Sequence, residues 1–444
     1  MDYAEMLKAK TVTVEEAVKR IPSNSYIYTF GASGEPMTFF SSMSYLKGNA
    51  ENVTMIDFLN TVPYDFYTDD SYLGVLRSDS CFFNRFCTAG QKAGRISYIP
   101  THLRNSYVSR EFYHEQRGGK PFVTFVLSAT PMDKQGYFST STVAMSVRNY
   151  VKYADQVILE INENLPRTFG DTSVHISEVD CVFQGANKVA YLPSKPCSEE
   201  ELTIGKYIAD LIEDGSTIQL GIGGIPNAVA LALTDKKDLG VHTEMLGDGI
   251  VELAKAGVIN NSKKTLHENK MVTTFSFGSK ETYDFLDDNP GVLHLSTEYV
   301  NNPYVICQNE KMVSVNTTLQ VDLMGQCASE SIGTLQISGI GGQTETASGA
   351  QMSKGGKSII ALRSTANIKD ADGNPVRKST IQPVHPEGTV ISLLRCDTDF
   401  VVTEYGVAAL RGASLSERAR ELINIAHPDY REELLAGARK YHLI

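Results

Sequence analysis

The sequence predicts an α/β protein of two domains, and three observations carry that prediction. Short β-rich apolar runs alternate with helix-like segments almost throughout. At 444 residues the chain is longer than one ordinary core fills. The stretch Tyr191–Ser198, YLPSKPCS, carries two prolines and interrupts both the helical and the strand periodicity. It divides the chain into parts of similar texture, so the expected domains are residues 1–190 and 198–444.

In the first half, Ser25–Phe30, Val53–Leu59, Phe122–Leu127 and Gln156–Ile161 read as strands. Thr13 stands three residues before Glu16, the spacing of a capping box, and opens a helix that runs to Ile21. In the second half the strands are Thr217–Leu220, Met271–Phe275, Thr334–Ile337, Ser358–Leu362 and Phe400–Thr403. Helices fit Glu200–Glu213, Pro226–Thr234 and Ser416–Ala426, the last with Ser414 and Glu417 at capping-box spacing. The segment Ala366–Pro386 reads as a plain surface loop.

Composition narrows the function. Hydrophobic content of 42% and charged content of 21% belong to a folded globular chain. The net charge of −11 argues against nucleic acid or an anionic membrane as the main partner. No apolar h-region opens the sequence and no apolar run is long enough to span a bilayer. Seven scattered cysteines without CxxC spacing read as reduced thiols and not as a disulfide framework or zinc cage, so the expected compartment is the cytoplasm.

The densest chemical signal runs from Gln219 to Gly249. A short strand ends in Gly221-Ile222-Gly223-Gly224, and Pro226 suits the first turn of the helix that follows. Such a turn brings backbone N–H groups and a helix N-terminus to an anion or a developing oxyanion. It is not a dinucleotide fingerprint, because Pro226 occupies the sixth position, and no Gly-Lys-Ser/Thr makes it a Walker loop. A second glycine turn, Gly339-Ile340-Gly341-Gly342, follows Leu335–Ser338. In the segment VHTEMLGDG, Glu244 is a carboxylate among apolar residues and glycines, where desolvation raises its nucleophilicity. The His242-x-Glu244 pair lacks the downstream Pro-Cys-x-x-Cys of a zinc deaminase, and no HExxH is present. Asp248 is a candidate helix cap, and Arg167 is equally a phosphate ligand or a structural partner.

GIGGIPNAV, HTEMLGDGIVELAKAGVI, YVNNPYVI, QVDLMGQCASESIG, SGIGGQ and VVTEYGVAALRG occur in this order, with PMDKQGYFS and LPRTFGD before them. Together they resemble the acetyl-CoA hydrolase/transferase family within the class I CoA-transferases, most of all its 4-hydroxybutyrate CoA-transferase branch. The resemblance spans essentially the whole chain. It implies two similar open α/β domains of CoA-transferase type with the active site between them.

It also implies site residues. Glu244 matches the catalytic glutamate, and Gly221, Ile222, Gly223, Gly224 and Ile225 match a CoA-binding loop. Gly341 and Gly342 match the region that supplies an oxyanion-hole N–H. Asn301, Asn302 and Glu404 match positions lining the same site, and Lys354 or Lys357 is expected to face the CoA. Relatives read GGSGDF where this chain reads GGQTET, a difference that bears on the acyl pocket. Ser33, Phe39 and Phe40 are further candidates for the acyl end.

The expected reaction is exchange of CoA between a short acyl-CoA and a carboxylate such as acetate, through a glutamyl-CoA thioester on Glu244. Acetyl-, propionyl-, butyryl- and 4-hydroxybutyryl-CoA are all candidate donors. No permanently bound cofactor or metal is expected, since CoA is itself substrate and covalent intermediate. Acyl-CoA and carboxylate are the expected partners, and the resemblance implies a homodimer or homotetramer. Three other readings stand beside this one: an acyl-CoA hydrolase using the same intermediate, a nicotinamide-dependent oxidoreductase, and a non-catalytic CoA-binding subunit.

Overall fold

A parallel sheet covered on both faces needs strands that are apolar along their whole length. The strands β1 (Tyr26–Tyr28), β2 (Val53–Asp57), β3 (Leu76–Ser80), β4 (Ile96–Tyr98), β5 (Val123–Ala129), β6 (Gln156–Ile161) and β7 (Cys181–Gln184) make a parallel sheet whose central members β1, β2, β5 and β6 are largely apolar, while β3, LRSDS, is mostly polar. The computed structural model describes residues 2–192, 195–369 and 374–444. Its contacts group into two units, one of residues 1–192, 272–300 and 337–341, the other of residues 193–271, 301–336 and 342–444.

In the first unit the seven strands lie in the order β7-β6-β5-β1-β2-β3-β4, and every pairing is parallel. Alternation along each strand sends side chains to opposite faces. Ile27, Met55, Val126 and Ile158 therefore enter one core cluster, whereas Tyr28, Ile56, Phe125 and Leu159 enter another. From β1 the chain winds one way through β2, β3 and β4, and the other way through β5, β6 and β7. That is a doubly wound sheet with its switch point at β1 and β5.

The second unit repeats the plan. Its strands are β8 (Thr217–Leu220), β9 (Gly240–Leu246), β10 (Met312–Thr317), β11 (Lys357–Ala361), β12 (Phe400–Thr403) and β13 (Gly406–Ala409). They lie in the order β13-β12-β11-β10-β8-β9, parallel except for the antiparallel edge pair β12–β13. Here the winding reverses at β8 and β10.

The capping boxes at Thr13/Glu16 and Ser414/Glu417 both form. The helices expected from Glu200, Pro226 and Ser416 run over Glu199–Leu211, Gly224–Ala232 and Leu415–Asn424. Three expectations change. Within Ala366–Pro386 the chain is not a plain loop: Thr365–Lys369 pairs antiparallel with Pro375–Ser379, so the backbone groups of this excursion bond to each other. Residues 370–373 of that excursion lie outside the described residues. The Thr334–Ile337 strand shrinks to Leu335–Gln336, paired with Ser331–Ile332. Asp248 is the first residue of its helix, Asp248–Lys255, with Gly247 in the cap position.

The units also interleave along the chain. The first unit's long segment ends at Leu192, inside Tyr191–Ser198, of which residues 193 and 194 lie outside the described residues. Segments 272–300 and 337–341 then rejoin it, so a single cut near 190–198 does not divide the contacts. The attachment of segment 272–300 is specific: Ser276 N donates to Thr142 O at 2.8 Å, Ser276 O accepts from Ser33 Oγ at 2.6 Å, and Phe275 packs on the core that holds Val143.

Candidate active site

Glu244 is the fifth residue of β9, and its position follows from strand register. Ile218 of β8 pairs with Val241 of β9, and continuing that register sets Glu244 beside Gly221, where β8 gives way to the glycine turn. The side chain is half-buried. Burial pushes its carboxyl up to about 7, while hydrogen bonds from Asn301 and from the Gly342 backbone N–H hold it down from rising further. His242 shares its face of the strand and is buried.

The two donors are delivered by the ends of short elements. Asn301 follows the helix Thr297–Val300 and is 0% exposed; its Nδ2 donates to Glu244 Oε2 at 2.6 Å and to Glu345 Oε2 at 3.3 Å. Gly342 caps the helix Gln343–Met352, which points its free N–H groups at the carboxylate. Only glycine fits there. A Cβ at this position would sit 2.0 Å from Asn301 Nδ2 and 2.1 Å from Glu244 Oε2. Gly341, in the left-handed region at φ 55°, makes the turn that leads into it.

Beside this cluster the turn Gly221–Ile225 opens the helix Gly224–Ala232, with Gly223 at φ 116°. Ile222, Gly223, Gly224 and Ile225 of the turn line a cavity of about 250 Å³ together with Thr317 at the end of β10, Thr318 and Leu319 after it, and Leu362 and Arg363, which follow β11. The cavity thus lies at the carboxyl ends of parallel strands where the winding reverses, the place at which open α/β sheets bind ligands. Arg363, Thr365 and Ala366 pass into a second cavity of about 440 Å³, whose wall includes Arg377, Glu404 and His427.

The structure sorts the residues expected from sequence. Glu244, Asn301 and Gly342 form one hydrogen-bonded cluster, with the Gly221–Ile225 turn next to it in the sheet. Asn302 instead caps the helix Pro303–Ile306, accepting from Tyr304 N at 3.0 Å. Glu404 accepts from Ser364 N at 2.9 Å and from Ser364 Oγ, on the wall of the second cavity. Lys357 begins β11 and so stands at the amino end of the sheet, away from the glycine turn, where it pairs with Glu213. Lys354 precedes it and pairs with Glu310. Neither is brought to the edge that carries Glu244.

In the first unit, Phe39 and Phe40 are buried in the core beside Phe183 and Tyr64, and Ser33 Oγ donates to Ser276 O at 2.6 Å. Arg167 is ion-paired with Asp133. Two residues escaped sequence reading. Glu345 looks like an ordinary helix carboxylate, yet it is 3% exposed and shares the Asn301 amide with Glu244. Arg363 follows an apolar strand without any motif; only the strand order places it at the cavity.

The likeness to known proteins is extensive. Residues 1–193 match the acetyl-CoA hydrolase/transferase N-terminal domain and residues 278–438 its C-terminal domain. The chain is 41% identical to the 4-hydroxybutyrate coenzyme A transferase of Clostridium kluyveri, over 99% of this chain and 100% of that one. It is 34% identical to the butyryl-CoA:acetate CoA-transferase of Anaerostipes caccae, over 99% of this chain and 98% of that one. The crystal structure of RipA from Yersinia pestis superposes with a TM-score of 0.90 at 34% identity, each chain covered completely. With domain matches on both sides of Glu244 and full-length relatives of this similarity, the chain belongs to the acetyl-CoA hydrolase/transferase family.

Proposed function

We propose that the protein is a CoA-transferase that moves CoA from a short acyl-CoA to a carboxylate such as acetate, through a thioester on Glu244. One observation carries the proposal: a carboxylate raised to about 7 by burial, held by the Asn301 amide and the Gly342 N–H, on the strand next to the glycine turn that lines a cavity. The names of the relatives, which act on 4-hydroxybutyrate and on butyryl-CoA with acetate, support the same substrate class.

The steps balance without a redox partner. A Glu244 oxygen attacks the acyl-CoA carbonyl and the C–S bond breaks, giving an acyl-glutamyl anhydride and CoA thiolate. The thiolate attacks the Glu244 carbonyl carbon, forming the glutamyl-CoA thioester and releasing the first acid as its carboxylate. The acceptor carboxylate attacks that thioester and expels the thiolate. The thiolate then takes the acyl group from the new anhydride and restores Glu244. Each tetrahedral intermediate places negative charge where preorganised backbone N–H groups stabilise it, and one such donor is worth roughly 10²–10³ in rate.

The test is incubation with butyryl-CoA in the absence of acceptor, followed by intact and peptide-level mass. A CoA-sized adduct on the Glu244 peptide, discharged by acetate and absent from Glu244→Ala, is the expected result. Discharge by water as fast as by acetate would make the enzyme a hydrolase. Failure of any short acyl-CoA to form an adduct would overturn the proposal.

A further inference from the structure

The distance from Glu244 to Arg363 follows from the strand order. Between them the sheet runs β9, β8, β10, β11; the register sets Glu244 level with Ile360, so three spacings of about 4.8 Å across the sheet and three residues of about 3.3 Å along it put Arg363 roughly 17 Å away. The pantetheine arm of CoA, counted as a chain of about four extended residues, spans roughly 14 Å, and the long Arg363 side chain, which lines the same cavity, covers the remainder. A thiol placed at Glu244 and an arm laid across the cavity over the glycine turn therefore bring the first phosphate to Arg363.

Arg363 is built to receive it. Its backbone is pinned on both sides: the Arg363 carbonyl accepts from Thr380 Oγ1 at 2.7 Å, and the next residue, Ser364, is tied to Glu404. Its side chain is exposed and lines both cavities. Among the described residues its guanidinium has no hydrogen bond or ion pair. Arg377, the other guanidinium of the second cavity, is already ion-paired with Asp429. The charges facing Arg363 are Glu201, the Ser364-bonded Glu404, and Glu200, whose carboxyl is held down mainly by its hydrogen bond with Ser198 and only slightly by Arg363. A guanidinium offers a planar fork that matches phosphate oxygens, which a lysine at this place would not.

We propose that Arg363 anchors the phosphate-bearing nucleotide end of the coenzyme, with the 440 Å³ cavity receiving it. The assignment deepens the transferase reading and rests on it for the identity of the ligand. It also replaces the basic residues suggested by sequence, because Lys357 and Arg363 stand at opposite ends of one strand, about 20 Å apart at 3.3 Å per residue.

The experiment compares butyryl-CoA with butyryl-pantetheine as donors to acetate, in the wild type, Arg363→Ala and Arg363→Lys, alongside calorimetric titration with desulpho-CoA. Arg363→Ala is expected to lower kcat/KM for butyryl-CoA and to weaken desulpho-CoA binding, each by about 10- to 100-fold, as for a lost charge-assisted hydrogen bond. Butyryl-pantetheine, which lacks the phosphates, is expected to show no such loss, and lysine is expected to rescue part of it. Equal behaviour of wild type and Arg363→Ala toward butyryl-CoA would overturn the anchor while leaving transfer intact. A wild type that binds desulpho-CoA through Arg363 yet transfers nothing would overturn the transferase reading and keep the anchor. A wild type that binds no desulpho-CoA would overturn both.

Discussion

Asn301 Nδ2 donates to Glu244 Oε2 at 2.6 Å, and the Gly342 backbone N–H bonds the same carboxylate. Burial raises the carboxyl, and the Asn301 bond, with the Gly342 N–H, opposes the rise. Removing it leaves burial less opposed. Asn301→Ala is expected to move the pH midpoint of acylation upward by about one to two units, the equivalent of a hydrogen bond to a charged group. Single-turnover release of CoA thiolate, followed from pH 6 to 10, reads the shift; an unchanged midpoint would remove Asn301 from the nucleophile's environment.

The wild type has its own pH signature. The nucleophile is the ionised carboxylate, so acylation is expected to fall about tenfold per pH unit below about 7 and to level off above it. The effect on stability has the opposite sense. Glu244 keeps its proton to higher pH in the folded state than in the unfolded one, so its contribution declines as pH rises from the ordinary carboxylate range to about 7. Denaturant titrations of wild type and Glu244→Gln should converge in slope against pH once that window is passed.

Gly342→Ala places a methyl group where two polar atoms already stand, 2.0 and 2.1 Å from the added carbon. The Asn301 and Glu244 side-chain ends or the helix start must shift, and the N–H separates from the carboxylate. Turnover is expected to fall by roughly 10²–10³, with a stability loss of about 1–3 kcal/mol from overpacking. Steady-state kinetics beside a denaturant melt separates the two losses, and an alanine variant of wild-type rate would exclude the N–H from catalysis.

Lys264 is buried under β9, its Nζ donating to Val241 O at 2.7 Å and Lys270 O at 2.8 Å, and burial alone brings it down to about 7. Between that value and the ordinary lysine range the unfolded chain binds the extra proton, so this group adds stability as pH rises above 7. Lys264→Met is expected to flatten the stability profile between pH 7 and 9. A profile as steep as that of the wild type would assign the slope to other groups.

How much of this was legible in the sequence depended on how local the signal was. Thr13/Glu16 and Ser414/Glu417 announce their helices because a capping box is closed within four residues. The strand Thr217–Leu220 stands out as an apolar run ended by glycine. By contrast β9, which carries Glu244, reads GVHTEML, where buried polar residues hide the strand; its pairing with β8 supplies what its composition lacks. The cluster at Glu244 draws on residues 244, 301, 342 and 345, which no local pattern links. Lys357 and Arg363 make the same point on one strand: both are basic and close in sequence, and only the strand's direction tells which end faces a ligand.

The interleaving of the two units sets an order of events during synthesis. When the ribosome has made residues 1–192, all seven strands of the first sheet exist, yet the chain that covers Val143 and bonds Thr142 is still unmade. It arrives only after β8 and β9 have emerged, and the last piece, residues 337–341, follows β10. Neither unit is therefore a cassette that finishes folding before the other begins, and the nascent chain carries an uncovered apolar flank while β8 and β9 are being made, the state in which chaperones bind and aggregation starts.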